Sequence, residues 1–120
     1  MKGKILITSH DDDSCRLLLK LFSSEFLTVT CISDEADLFL ETLEHDYNLI
    51  IYDTENSTLD SLKVIKILRK MRPKIALVVI SNDPSKKLGG EFLQESVIYY
   101  DIKPFNPNAL KGAVLQSLSN

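Results

Sequence analysis

The chain has 120 residues, 44% of them hydrophobic and 26% charged, and carries a formal net charge of −3. That length suits one domain with a single core, so residues 1–120 read as one unit. The charges are interspersed without a basic block for nucleic acid, and no apolar run approaches the ~18 residues of a membrane span.

Residues 4–8, KILIT, form the first short apolar run. It stops at Ser9-His10 and spills into Asp11-Asp12-Asp13. Leu17, Leu18, Leu21 and Phe22 then repeat at helical spacing. A second run, FLTVTCI (26–32), is followed by a stripe of Ala36, Phe39, Leu40 and Leu43. The third, NLIIYD (48–53), precedes Leu62, Ile65 and Leu68. The fourth, IALVVIS (75–81), leads into a segment, 84–95, weakened as a helix by Gly89-Gly90 at roughly 1 kcal/mol per glycine. The last run, VIYYDI (97–102), precedes Leu110, Ala113, Val114 and Leu118.

Apolar runs without alternation suit strands covered on both faces. Alternation of strand and helix predicts an α/β fold: a doubly wound, five-stranded parallel sheet with right-handed crossovers and helices on both faces. Cys15 and Cys31 have neither C-x-x-C nor metal-type spacing, and no segment has the pattern of a secretory leader. The expectation is therefore a cytoplasmic domain with two reduced thiols.

In such sheets functional groups gather at the carboxyl ends of the strands. Those ends carry Ser9-His10-Asp11, Asp53, Ser81 and Lys103, while the second strand ends in Cys31-Ile32-Ser33 with no comparable group. One acid-rich turn, one isolated carboxylate, one hydroxyl and one amine form a set suited to binding or accepting a phosphoryl group.

With these motifs the chain resembles the receiver domain of two-component response regulators over essentially its whole length. LIIYD puts Asp53 at the family's phosphoacceptor position, VVIS puts Ser81 at its Thr/Ser position, and YYDIKPF matches its aromatic-x-x-Lys-Pro-Phe pattern. The resemblance implies a flavodoxin-like sheet of strand order 2-1-3-4-5. It implies phosphate taken on Asp53 from a histidine kinase or phosphotransfer protein, with Lys103 as the conserved amine. It also implies Tyr100 as the switch aromatic, and an interaction face made by the fourth helix, fifth strand and fifth helix. Partners implied are a downstream protein or linked output domain and, in many members, a second copy; no direct nucleic-acid or membrane contact is expected. The Lys-Pro peptide bond of this motif is often cis in the family. The cofactor implied is Mg²⁺, which screens the approach of an anionic phosphoryl group to a carboxylate.

Two departures mark the site. The family ends its first strand with adjacent acids, whereas an ungapped alignment, with the first helix's leucines kept on the core, puts Ser9 and His10 there. Burial of that stripe is worth roughly 1.5–3 kcal/mol per large side chain, so the leucines set the register. Asp12, Asp13 and Ser14 then serve as N-cap and first-turn residues. A metal site falls to Asp11, Asp53 and Glu55, and its affinity drops, since one lost charge at ~4 Å forfeits up to about 4 kcal/mol. A lone loop histidine such as His10 reads as a hydrogen-bonded or solvated residue more readily than as a metal ligand. The second departure is DTENSTLDS after Asp53, which lacks the family's Met-Pro and later Gly. The alternative function is a pseudo-receiver, an interaction module that works without phosphorylation. A flavin or nucleotide binder is disfavoured, because the acids after the first strand repel phosphate.

Overall fold

The computed structural model describes residues 2–119. Five parallel strands alternate with five helices: β1 (Gly3–Thr8), α1 (Asp12–Leu21), β2 (Leu27–Ile32), α2 (Glu35–Glu44), β3 (Leu49–Asp53), α3 (Ser61–Met71), β4 (Ala76–Ser81), α4 (Lys86–Gln94), β5 (Tyr99–Ile102) and α5 (Pro107–Leu118). The strand order is β2-β1-β3-β4-β5, the flavodoxin-like order implied by the resemblance. All strands match the expected runs with ends shifted by no more than two residues.

Each helix starts on a side chain that accepts a hydrogen bond from an otherwise unpaired first-turn amide. Asp11 caps α1 through Asp13 N, Asp34 caps α2 through Asp37 N, and Asp60 caps α3 through Leu62 N and Lys63 N. Ser85 caps α4, and Asn106 caps α5 just before Pro107, whose missing N–H costs nothing there. The sequence reading set the start of α1 one residue late: Asp11 is the cap, and Ser14 is freed for the site.

The sheet is covered on both sides. On one side Leu6, Ile50 and Val79 pack against Leu38 of α2, Val64, Ile65 and Leu68 of α3, and Phe92 of α4. On the other, Ile5, Ile7, Ile51 and Val78 meet Leu18 and Phe22 of α1 and Leu110 and Val114 of α5. Full burial of β3 and near-complete burial of β1 and β4 explain their unbroken apolar runs.

Two expectations are corrected. Most of the stripe predicted for α2 lies outside: Leu40 and Leu43 are exposed, with Ala36, and of its members Phe39 alone packs on the core, while Glu35, Leu38 and Thr42 turn inward. Apolar count favoured the outer stripe. Tertiary hydrogen bonds decided otherwise, because Glu35 has partners on the loop after β1, on β3 and on the loop after β3, while Thr42 satisfies its buried hydroxyl within the helix, on Leu38 O. Likewise, Cys15 and Cys31 are joined as a disulfide rather than standing as two free thiols, their Cα atoms 6.5 Å apart. The bridge ties α1 to the edge strand β2, a contact between elements that local cysteine spacing does not register.

Despite its glycines, 86–94 forms the helix α4. Gly89 has a tertiary role: a Cβ there would lie 2.9 Å from Cε1 of Tyr100, whereas Gly90 faces open space.

Candidate functional site

The site is built at the carboxyl edge of the sheet, where β1, β3, β4 and β5 end side by side. Asp53, the last residue of β3, is fully buried. Its Oδ2 accepts hydrogen bonds from Ser9 Oγ at 2.7 Å and Lys103 Nζ at 2.8 Å, and its Oδ1 accepts from Glu55 N at 3.1 Å. Both carboxylate oxygens are thus held in place, one by an ammonium.

Lys103 is the hub. Besides Asp53, its Nζ donates to Glu55 Oε2 at 2.6 Å and to Ser14 Oγ at 2.7 Å, and lies 3.5 Å from Asp11 Oδ2. Burial pushes the lysine pKa down, but hydrogen bonds and charge from Asp53 and Glu55 outweigh it, so the net shift is upward. The Asp11 carboxyl is held low chiefly by the Ser14 hydroxyl, with burial opposing it and Asp13 N and Lys103 adding to the lowering. The peptide bond from Lys103 to Pro104 is cis.

The three acids expected to hold a metal therefore do converge, around the ammonium of Lys103. Hard carboxylate oxygens in excess over one cation match Mg²⁺ in donor type and charge. Among the described residues, however, no three His, Cys, Asp or Glu side chains are arranged to hold a metal ion. The donors suit the ion in type, and a bound ion would have to share them with Lys103.

Ser9 and His10 follow β1, as the ungapped register requires, and they part company. Ser9 is buried beside Asp53. His10 turns to Glu35, Nε2 to Oε1 at 2.7 Å. Glu35 also accepts from the hydroxyls of Tyr52, at 2.8 Å, and Ser57. Burial alone raises the Glu35 pKa, but the bonds from Ser57, His10 and Tyr52 outweigh it and leave it lowered. Tyr52 is pushed well above the usual phenol range by burial and by Glu35 beside it. Sequence reasoning missed both Glu35 and Ser14. Glu35 lies beyond the end of β2 rather than at it, and Ser14 looked like a helix start.

Ser81 ends β4, next along from Ile80, which pairs with Asp53. Its buried hydroxyl accepts from Asp83 N at 3.0 Å, and Asp83 O accepts from Tyr100 OH at 3.2 Å. The β4–α4 loop thus connects the hydroxyl of Ser81 to Tyr100, whose ring also packs on Phe92 at 5.4 Å. Tyr99 points to the opposite face and bonds Asp101. The loop after Asp53 turns through Asn56, at φ 64°, a left-handed conformation that Asn tolerates.

No family model matches the chain. Over 122 aligned positions, covering this whole chain, it is 23% identical to the transcriptional regulatory protein ZraR of Salmonella typhimurium. The chain spans 28% of that relative's length. The signal receiver domain of an HD domain-containing protein from Pseudomonas fluorescens superposes with a TM-score of 0.89 at 19% identity, over 99% of this chain and 96% of that one. A two-component response regulator from Clostridium difficile gives 0.89 at 21% identity, over 99% and 98%. The BeF3-activated DrrB receiver domain gives 0.88 at 16%, over the full length of both. The chain has the fold of response-regulator receiver domains.

Proposed function

We propose that this chain is a phosphoaccepting receiver domain of two-component signalling, with Asp53 as the acceptor. The observation that carries this reading is the Asp53–Lys103 pair, a buried carboxylate bonded at 2.8 Å to the amine of the Lys-Pro-Phe turn. In the step proposed, an Asp53 oxygen attacks phosphorus and the P–N bond of a phosphohistidine donor breaks. An acyl phosphate forms, and the leaving imidazole keeps the bonding pair and takes up a proton. Lys103 stabilises the charge on the incoming phosphoryl oxygens. Asp11, Asp53 and Glu55 would hold Mg²⁺, which when bound would supply further screening of the anionic donor.

Ser81 follows the phosphoryl group by turning its hydroxyl away from Asp83 N, which loosens the loop holding Tyr100. The readout is the face of α4, β5 and α5, offered to a downstream protein or a linked output domain. The donor is a histidine kinase or phosphotransfer protein, and the compartment the cytoplasm. ZraR is by name a transcriptional regulator, which makes control of transcription a reasonable output for a longer protein containing this domain.

A second reading, a phosphorylation-independent pseudo-receiver, is favoured by one observation: Ser9, at a position where the resemblance implies an acid, donates a hydrogen bond to Asp53. Intact-mass measurement after acetyl phosphate and Mg²⁺ treatment separates the two. One added phosphate, absent in Asp53→Asn, supports the acceptor; no adduct at any Mg²⁺ concentration supports the pseudo-receiver.

A further inference from the structure

The faces of α2 and α3 carry opposite charge. All ionisable residues of α2 are acids: Asp37, Glu41 and Glu44 on its outer side and Glu35 turned inward. All those of α3 are bases: Lys63, Lys66, Arg69 and Lys70. The two helices lie side by side on one side of the sheet. Among the described residues no ion pair joins the acids of α2 to the bases of α3; Lys66 instead lies 4.0 Å from Glu95. Between the charges stand apolar side chains in solvent, with Leu40 53%, Leu43 67% and Ile67 43% exposed.

We infer that the joint surface of α2 and α3 is an interface for a second copy of this chain. The argument is one of charge and height. Both helices follow parallel strands, so both begin at the carboxyl edge of the sheet and run in the same direction. A two-fold axis between them and along them sets α2 of each copy over α3 of the other. Counted from the first helical residue, Asp37 and Lys63 are both third, and Glu44 and Lys70 both tenth. All four are exposed. The symmetric arrangement brings each acid against a base twice over, around a centre made of Leu40, Leu43 and Ile67 from both copies. The other in-plane axis sets α2 on α2, acid on acid, and is rejected by charge. Two helices of ~15 Å length make a small footprint, below the ~800 Å² per partner of a standard interface, so the dimer exchanges rapidly.

This face is separate from that of α4, β5 and α5, and the inference does not depend on phosphorylation. Sedimentation velocity of the full chain over a concentration series tests it. The parent is expected to dimerise at low salt, with association weakened at least tenfold by a several-fold rise in salt. Lys63→Glu with Lys70→Glu makes all four pairing positions acidic; Asp37→Lys with Glu44→Lys makes all four basic. Each double variant alone is expected to be monomeric and as stable to heat as the parent, and their mixture to form a heterodimer. Leu43→Ser weakens the parent dimer without altering any charge. A parent that stays monomeric at about 1 mM in low salt, where even weak interfaces associate, overturns the inference. So does a dimer that survives both double variants, because it uses another face.

Discussion

Ser9 Oγ and Asp53 Oδ2 lie 2.7 Å apart, so a neutral hydroxyl satisfies the carboxylate oxygen that Lys103 also holds. An acid at that position gives the opposite effect, repelling Asp53 in the absence of a cation and attracting one when it is present. Ser9→Asp is therefore expected to melt below the parent without metal and to recover as Mg²⁺ is added. The added charge strengthens cation binding by up to about 4 kcal/mol. Thermal melts over a Mg²⁺ series check this, and a parent that already gains as much from Mg²⁺ as the variant contradicts it. Adding His10→Asp removes one of the partners of Glu35 and sets a carboxylate beside it, so the single variant is the cleaner probe.

Lys103 holds together three carboxylates that otherwise repel one another. Lys103→Met is expected to cost about 3 kcal/mol, since it leaves Asp53 buried without its cation. Its raised pKa also sets an alkaline limit. A raised folded value means stability that is complete below the ordinary lysine pKa and declines as pH rises through the folded one. Urea midpoints across the alkaline range should fall more steeply for the parent than for Lys103→Met.

Glu35 gives the acid counterpart. Its folded pKa is lowered, so its contribution is present above the ordinary glutamate value and is lost as pH falls through the folded value. Glu35→Gln keeps the shape, removes the charge and turns one acceptor into a donor facing Tyr52, Ser57 or His10. A loss of about 1–3 kcal/mol at neutral pH follows, with a shallower acid limb in the urea midpoint than in the parent. An unchanged acid limb would show that Glu35 is not the group responsible.

The paired glycines of α4 separate helix propensity from packing. Gly90→Ala meets nothing within 4 Å, and is expected to stabilise by about 0.5–1 kcal/mol. Gly89→Ala gains the same propensity but places its Cβ against the Tyr100 ring. The ring must move, and the Tyr100 hydroxyl loses its bond to Asp83 O. The expected outcome is no net gain in melting temperature and shifted Tyr100 ring resonances in NMR spectra. Equal stabilisation by both substitutions would remove Gly89 from the positioning of Tyr100.

The sequence by itself determined the sheet and the strand-end residues of the site. Unbroken apolar runs mean strands covered on both sides, and that condition leaves few topologies. The ends of those runs then deliver Asp53, Ser81 and Lys103 to one edge without any knowledge of contacts. The inward side of α1 was partly legible too: Leu18 and Phe22 of its predicted stripe are buried, while Leu17 is exposed. Only the tertiary structure decided which side of α2 is inside. A helix reveals its apolar stripe in the sequence, but Glu35 turns inward for hydrogen bonds from His10, Tyr52 and Ser57, residues 25, 17 and 22 positions away. The same holds for the pairing of Cys15 with Cys31, for Ser14 at Lys103, 89 residues distant, and for the space Gly89 leaves to Tyr100. Each depends on two elements that meet only once the sheet has formed, and local periodicity carries no term for such a meeting.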